Sequence, residues 1–174
     1  MVKIVLILTI SASFLFSKVN LLKNLTNYQK LVIKEVYNVG KTVKTNDGMT
    51  FEKTLVGIVL TESSAGLNLI GDDFDYKTKS KATLIKSSLG AFQMKVSTVK
   101  DMIKKYPKAF EHLKNKTDRE LINLLLRNYK DSAKLAGYYL KYNYERKSKF
   151  KVFKSRYFRS VSNYNGGNHN EVYY

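Results

Sequence analysis

The sequence predicts a mainly α-helical protein. Apolar residues recur at helical spacing in several segments, and residues that favour helix caps or helix ends flank these segments. The chain has 174 residues, which is enough for one domain with a sizeable core. No internal repeat, low-complexity tract or second domain is evident, so we expect a single helical domain.

The first predicted helix covers residues 27–43, with Asn27 as candidate N-cap and Gly40 as candidate end. A turn signal follows at Asn46-Asp47-Gly48. The apolar residues of this first helix are Leu31, Val32, Val36 and Val39.

A second helix is predicted after Thr50, its candidate N-cap, and is stopped by Ala65-Gly66. Glu62 and Ser63 lie at its end. The apolar residues cover most of the helix surface, which predicts a central, buried helix. These residues are Phe51, Leu55, Val56, Ile58, Val59 and Leu60.

The middle of the chain is more polar. Residues 71–88 are interpreted as a loop or a small β-hairpin insert. A third helix is expected from Lys95 or Ser97 to about Tyr106, because Pro107 breaks it.

The last third carries two more helical patterns. Thr117 and Glu120 have the spacing of a capping box and open one helix. The next helix is predicted over residues 131–144. The basic, aromatic residues 147–159 are expected to lead into a last helix or to form an irregular segment.

Composition limits the chemistry. The chain has no cysteine, which excludes disulfides, thiol nucleophiles and cysteine metal sites. Its two histidines make a histidine-based metal cluster improbable, so we expect neither a metal nor a cofactor.

The N-terminus has the pattern of a signal peptide over residues 1–17. Lys3 precedes an apolar run at residues 4–16, and Ser17 is a small residue at the expected cleavage site. The run is short for a membrane span. Export to the periplasm or cell envelope is therefore predicted, with residues 18–174 as the mature domain. The alternatives are an uncleaved anchor and a buried first helix.

The formal net charge of +17 suits a polyanionic partner. Nucleic acid is one such partner, and peptidoglycan, whose stem peptides and lactyl groups carry carboxylates, is another. Export favours the cell wall, and we expect no nucleic acid. A surface that is basic only for solubility is the alternative.

Three short motifs follow one another in the chain. The first is Glu62-Ser63, the second is Gly90-Ala91-Phe92-Gln93, and the third, interpreted as a turn, runs from Asn163 through Tyr164 and Asn165 to Gly166-Gly167. One acid and two polar turns can together form a carbohydrate cleft, in which a buried carboxylic acid donates a proton to a leaving oxygen.

In order and spacing these motifs resemble those of the soluble lytic transglycosylases, which are related to goose-type lysozymes. Members of that family carry Glu-Ser at a helix end, then Gly-Leu-Met-Gln, then Ala-Tyr-Asn-Ala-Gly. The resemblance covers about the last two thirds of the chain. It departs from the family at Ala91-Phe92, Asn163 and Gly166, which lie beside the key polar residues.

The resemblance implies a lysozyme-like helical fold and a peptidoglycan lytic transglycosylase. Glu62 would be the single catalytic residue, acting as acid and then as base. Glycan strands would be bound by Ser63, Gln93, Tyr164 and Asn165. The protein would act as a monomer, alone or with an envelope-spanning secretion or conjugation machine.

Three alternatives remain open. A hydrolase of the same fold would use Asp72, Asp73 or Asp75 to position water. A wall-binding or assembly subunit would keep the cleft without turnover. An exported nucleic-acid binder is the third, although the chain has no recognisable motif for that function.

Overall fold

The computed structural model describes residues 24–71, 81–146 and 155–166, and this part of the chain is mainly α-helical, as predicted. Side chains are described for these residues except 81–83, 165 and 166. A short 3-10 helix at Glu111–Leu113 lies between α4 and α5. The α-helices are α1 (Asn27–Thr42), α2 (Glu52–Ser63), α3 (Lys81–Lys86), α4 (Val96–Lys105), α5 (Asp118–Arg127), α6 (Tyr129–Glu145) and α7 (Arg156–Gly166).

The central helix is α6, which packs against α1, α2, α4, α5 and α7. Small residues let these helices approach, since Ala133, Ala136 and Gly137 are all buried. A Cβ at Gly137 would lie 3.1 Å from Val43 Cγ2, so a larger residue there would push the segment after α1 away. The sequence pattern had instead indicated α2 as the central, buried helix. That prediction was wrong, because α2 leaves Lys53, Gly57 and Thr61 exposed along one side.

One hydrophobic core joins the helices and the segment between α3 and α4. Burying side chains of this size is the main favourable contribution to folding. The largest fully buried side chains are Phe51, Phe92, Phe110, Leu55, Leu89, Leu113, Leu121, Leu125, Leu135 and Leu140.

The capping predictions were partly confirmed. Thr117 and Glu120 form the expected capping box at the start of α5. The box that opens α1 was missed, because Thr26 rather than Asn27 is the N-cap and pairs with Gln29. Phe51, not Thr50, is the N-cap of α2 and makes no side-chain cap hydrogen bond.

The end of α1 differs from the prediction. Gly40 lies inside the helix, which continues to Thr42. A Cβ at Gly40 would overlap the backbone of Glu52, so glycine permits the close packing of α1 against the start of α2.

The small β-hairpin expected within residues 71–88 is not observed in the part of this segment that the structure describes. Lys81–Lys86 form α3, and residues 72–80 are outside the described residues. Asp72, Asp73 and Asp75 therefore also lie outside them. Further along the chain, Leu89 and Met94 exchange backbone hydrogen bonds around a four-residue turn.

The third motif belongs to a helix, which corrects its interpretation as a turn. Asn163 and Tyr164 lie in α7, which ends at Gly166, and Asn163 is completely buried. Arg159 anchors α7 to α6, since its guanidinium donates to the carbonyls of Asn143, Tyr144 and Arg146 at distances of 3.2, 2.9 and 2.6 Å. A cation is favourable at this C-terminal end of α6. Packing against α6 thus stabilises α7 although the sequence of α7 is polar and contains glycine.

The predicted signal peptide lies outside the described residues. In residues 24–71, 81–146 and 155–166, no helix is long and apolar enough to cross a membrane.

Candidate functional site

Glu62 lies at one end of a groove between α2 and α7. Residues of α2 four positions apart project on the same side of the helix, so Lys53, Gly57 and Thr61 form one row and Thr54, Ile58 and Glu62 form the adjacent row. Tyr157 and Val161 of α7 form the other wall. The groove has a volume of about 350 Å³, and its lining residues are Lys53, Thr54, Gly57, Ile58, Thr61, Glu62, Tyr157 and Val161.

The surroundings of the Glu62 carboxyl favour its protonated form. It is half-buried, and burial raises the pKa of this carboxyl above its ordinary value because the anion loses solvation. Among the described residues, no hydrogen bond or ion pair to the carboxyl offsets this effect. Of the described residues that line the groove, Glu62 is the only acid. The carboxyl is therefore suited to donate a proton.

The turn after α2 has an uncommon backbone. Ser64, Ala65 and Gly66 have φ values of 51°, 57° and 85°, in the left-handed region that non-glycine residues rarely adopt. The Ser64 carbonyl accepts a hydrogen bond of 2.9 Å from Gln29 of α1. Such strain persists only where surrounding contacts hold it, and it is found most often at functional sites.

Ser63 joins this turn to the second motif. Its hydroxyl lies 2.7 Å from the Ala91 carbonyl and 3.0 Å from the Val59 carbonyl, and it accepts a hydrogen bond from the Gly66 amide at 2.9 Å. Ser63 is only 1% exposed. The sequence had indicated Ser63 as a substrate-binding residue, but its burial and backbone partners support a positioning role instead.

The second motif forms the turn between Leu89 and Met94. Gly90 has φ 76°, and a Cβ there would overlap the Leu125 carbonyl of α5. Glycine at this position therefore permits the close approach of the turn to α5.

Gln93 closes the same turn with φ 47°. Its side-chain nitrogen donates to the carbonyls of Gly90 and Asn68 at 2.9 and 3.2 Å. The side-chain oxygen is buried and has no hydrogen-bond partner in the described part of the chain. Gln93 does not line the groove that contains Glu62. Its amide thus holds the turn against the segment that follows α2.

Tyr164 connects the third motif to the second. Its hydroxyl donates to the Phe92 carbonyl at 2.8 Å, and its ring lies 5.7 Å from that of Tyr139. Burial, and then the nearby charge of Glu62, raise the pKa of Tyr164 well above its ordinary value, so the phenol stays neutral. Tyr164 is thus close to Glu62, but its proton is directed to the Phe92 carbonyl rather than to the Glu62 carboxyl.

The three motifs therefore meet through the backbone of the second. Ser63 contacts Ala91, and Tyr164 contacts Phe92. The side chain of Asn165, and Gly167, lie outside the described residues.

Sequence reasoning missed most of the groove. Thr54 lies two four-residue steps before Glu62, and Gly57 and Lys53 lie in the same steps before Thr61, so helical spacing could have indicated all three. Tyr157 gave no such signal, because its place in the groove depends on how α7 packs.

We expect Ser63→Ala to lower the free energy of unfolding by about 1–3 kcal/mol, because the buried Ala91 carbonyl and Gly66 amide lose their partner. Urea denaturation measures the change. Thr61→Ala is the matched control, since the Thr61 hydroxyl also contacts the carbonyl of the residue four positions earlier, at 2.9 Å, but at the surface. Equal and small effects of the two substitutions would contradict a structural role for the Ser63 hydroxyl.

Comparison of the chain with protein-family models, with curated proteins and with solved structures finds no significant match.

Proposed function

We propose that the protein is an exported peptidoglycan lytic transglycosylase of lysozyme-like architecture that uses Glu62 as its only catalytic carboxyl. The observation that carries the proposal is a half-buried acid of raised pKa at the end of an open groove, packed beside the two other motifs. A raised pKa favours the protonated form from which a general acid donates its proton. Glu62 is the one acid among the described residues that line the groove, and the resemblance to the lytic transglycosylases implies a mechanism with one carboxyl instead of the usual pair.

In the first step, the Glu62 carboxyl donates its proton to the oxygen that links N-acetylmuramic acid to N-acetylglucosamine, and the bond from C1 to that oxygen breaks. The acetamido oxygen of the muramic residue stabilises the cation at C1. The Glu62 carboxylate then accepts the proton of the C6 hydroxyl while O6 bonds to C1. The product is a 1,6-anhydro sugar, and no water is consumed. Attack from within the same sugar has a high effective concentration.

The other motif residues support this chemistry. Ser63 connects the end of α2 to the turn between Leu89 and Met94, and Tyr164 connects α7 to the same turn. These contacts limit the movement of Glu62. Asn165 is the proposed glycan contact, whereas Gln93 and Tyr164 support the site by holding the turn between Leu89 and Met94. The basic charge and the apolar N-terminal segment support action at the cell wall, alone or with an envelope-spanning machine.

Digestion of purified peptidoglycan, followed by mass analysis of the products, tests the proposal. We expect muropeptides with anhydromuramic ends, lighter by one water than hydrolysed ends. Hydrolysed ends would instead establish a lysozyme-type hydrolase. Intact glycan strands after digestion would remove the enzymatic function and leave a wall-binding or assembly subunit.

We expect kcat/KM to fall as pH rises through the pKa of Glu62 in the free protein. Only the protonated carboxyl can start the reaction, and burial moves this loss to a higher pH than an ordinary glutamate would give. A pH profile of glycan cleavage measures the midpoint. A midpoint at or below the ordinary glutamate value of 4.5 would contradict the assignment.

A further inference from the structure

We propose that the end of the groove at Lys53 is a binding subsite for a carboxylate carried by the glycan. This inference rests on the proposed function, because it assumes that a peptidoglycan strand occupies the groove. The carboxylate would come either from the lactyl group of a peptide-free muramic residue or from the stem peptide attached to one.

The two ends of the groove are chemically different. Lys53 and Glu62 lie nine residues apart in α2, which is about 13.5 Å along the helix axis. This length exceeds one hexose ring. A group at Lys53 therefore belongs to a neighbouring part of the substrate rather than to the bond that Glu62 cleaves.

Lys53 is available for such a contact. Its side chain is exposed, and within the described residues no carboxylate lies in ion-pair distance of its ammonium group. The carboxylate of the adjacent Glu52 has other partners. A hydrogen bond from Thr50 is the main cause that lowers the pKa of Glu52, and a hydrogen bond from its own backbone is the second. Coulombic attraction to Lys53 is a smaller cause. Lys53 thus supplies positive charge to an end of the groove where none of the other described lining residues is acidic.

The opposite wall provides a sugar-binding surface at the same end. The hydroxyl of Tyr157 lies 2.8 Å from that of Thr54, which fixes the ring beside the start of α2. Tyr157 remains 37% exposed, and an exposed aromatic side chain can pack against the apolar face of a sugar. Between the two walls, a Cβ added at Gly57 would meet no atom within 4 Å, so there is room along the groove.

The subsite predicts a selective loss of binding. Affinities are measured in the Glu62→Gln background, which prevents turnover, for three ligands: a chitooligosaccharide without carboxylates, a peptide-free muramyl glycan, and a glycan fragment with stem peptides. We expect Lys53→Gln to weaken binding of carboxylated ligands by up to about fivefold, the range for one exposed charge pair. Binding of the chitooligosaccharide should not change, and Lys53→Arg should retain most of the affinity.

Lys104→Gln is the control, because it removes the same charge from α4, outside the groove. A loss confined to ligands with stem peptides assigns the carboxylate to the peptide, and a loss that includes the peptide-free glycan assigns it to the lactyl group. Equal losses for all three ligands, an equal loss in Lys104→Gln, or no loss would overturn the proposal.

Different results would refute the transglycosylase activity and the Lys53 subsite. Cleavage of peptidoglycan with no selective effect of Lys53→Gln refutes the subsite and leaves the transglycosylase. A selective effect on binding without any cleavage by the native protein supports the subsite and refutes the enzyme.

Discussion

Glu62→Gln is expected to lower the rate of peptidoglycan cleavage by about 10²- to 10⁴-fold, the usual contribution of a general acid. Glutamine has nearly the same shape but can neither donate the first proton nor accept the second. Release of anhydromuramic products measures the loss. Glu111→Gln changes an exposed residue of the 3-10 helix outside the groove, so it is the control and should leave the rate unchanged. Equal activity in the native protein and the Glu62→Gln variant would remove Glu62 from the mechanism.

The same substitution should slightly stabilise the fold at neutral pH. Because burial raises the pKa of folded Glu62 above the unfolded value, the folded protein favours the protonated acid, and ionisation costs folding free energy as pH rises. The cost is absent well below the ordinary value of 4.5 and is complete above the raised value. Solvent screening of a half-exposed group keeps it below about 1 kcal/mol. A lower Tm of the variant at pH 7 would contradict this sign.

Gly90→Ala and Gly57→Ala are expected to change stability in opposite directions. At Gly90, a methyl group would overlap the Leu125 carbonyl, a backbone atom that no rotamer change can move, and the φ of 76° adds strain. We expect a loss of more than about 4 kcal/mol, or no folded protein.

At Gly57, the same methyl group meets nothing within 4 Å, and the position lies inside α2. Alanine should therefore stabilise the fold by about 0.8–1.0 kcal/mol through helix propensity. Urea denaturation of both variants measures the difference. A Gly90→Ala variant within 1 kcal/mol of the native protein would show that the turn does not pack on α5 as described.

The helices that were predicted well are those with strong local signals. The capping box at Thr117 and the apolar spacing after it require only neighbouring residues, and α5 begins where they indicate. α7 was predicted poorly, because its residues are polar and glycine-rich near the end. It is held by Arg159 and by the buried Asn163, whose contacts come from α6.

In the candidate site, too, the features with a local signal were predicted and those that depend on packing were not. Glu62 was found from its place at the end of a periodic segment, and the strained turn after it follows that segment directly. The role of Ser63 was misjudged, because a serine beside the acid has the same local signal whether it faces the groove or the core. Only the position of Ala91 decides between them.

The sequence by itself determined the helical class, most helix positions, the acid at residue 62 and the order of the three motifs. These properties depend on periodicity and capping, which act over a few residues. Only the tertiary structure decided that α6 is central, that Ser63 is buried, and that Lys53 and Tyr157 line a groove with Glu62. Those properties arise from packing between segments far apart in the chain, where side-chain volume and close backbone approach leave few arrangements.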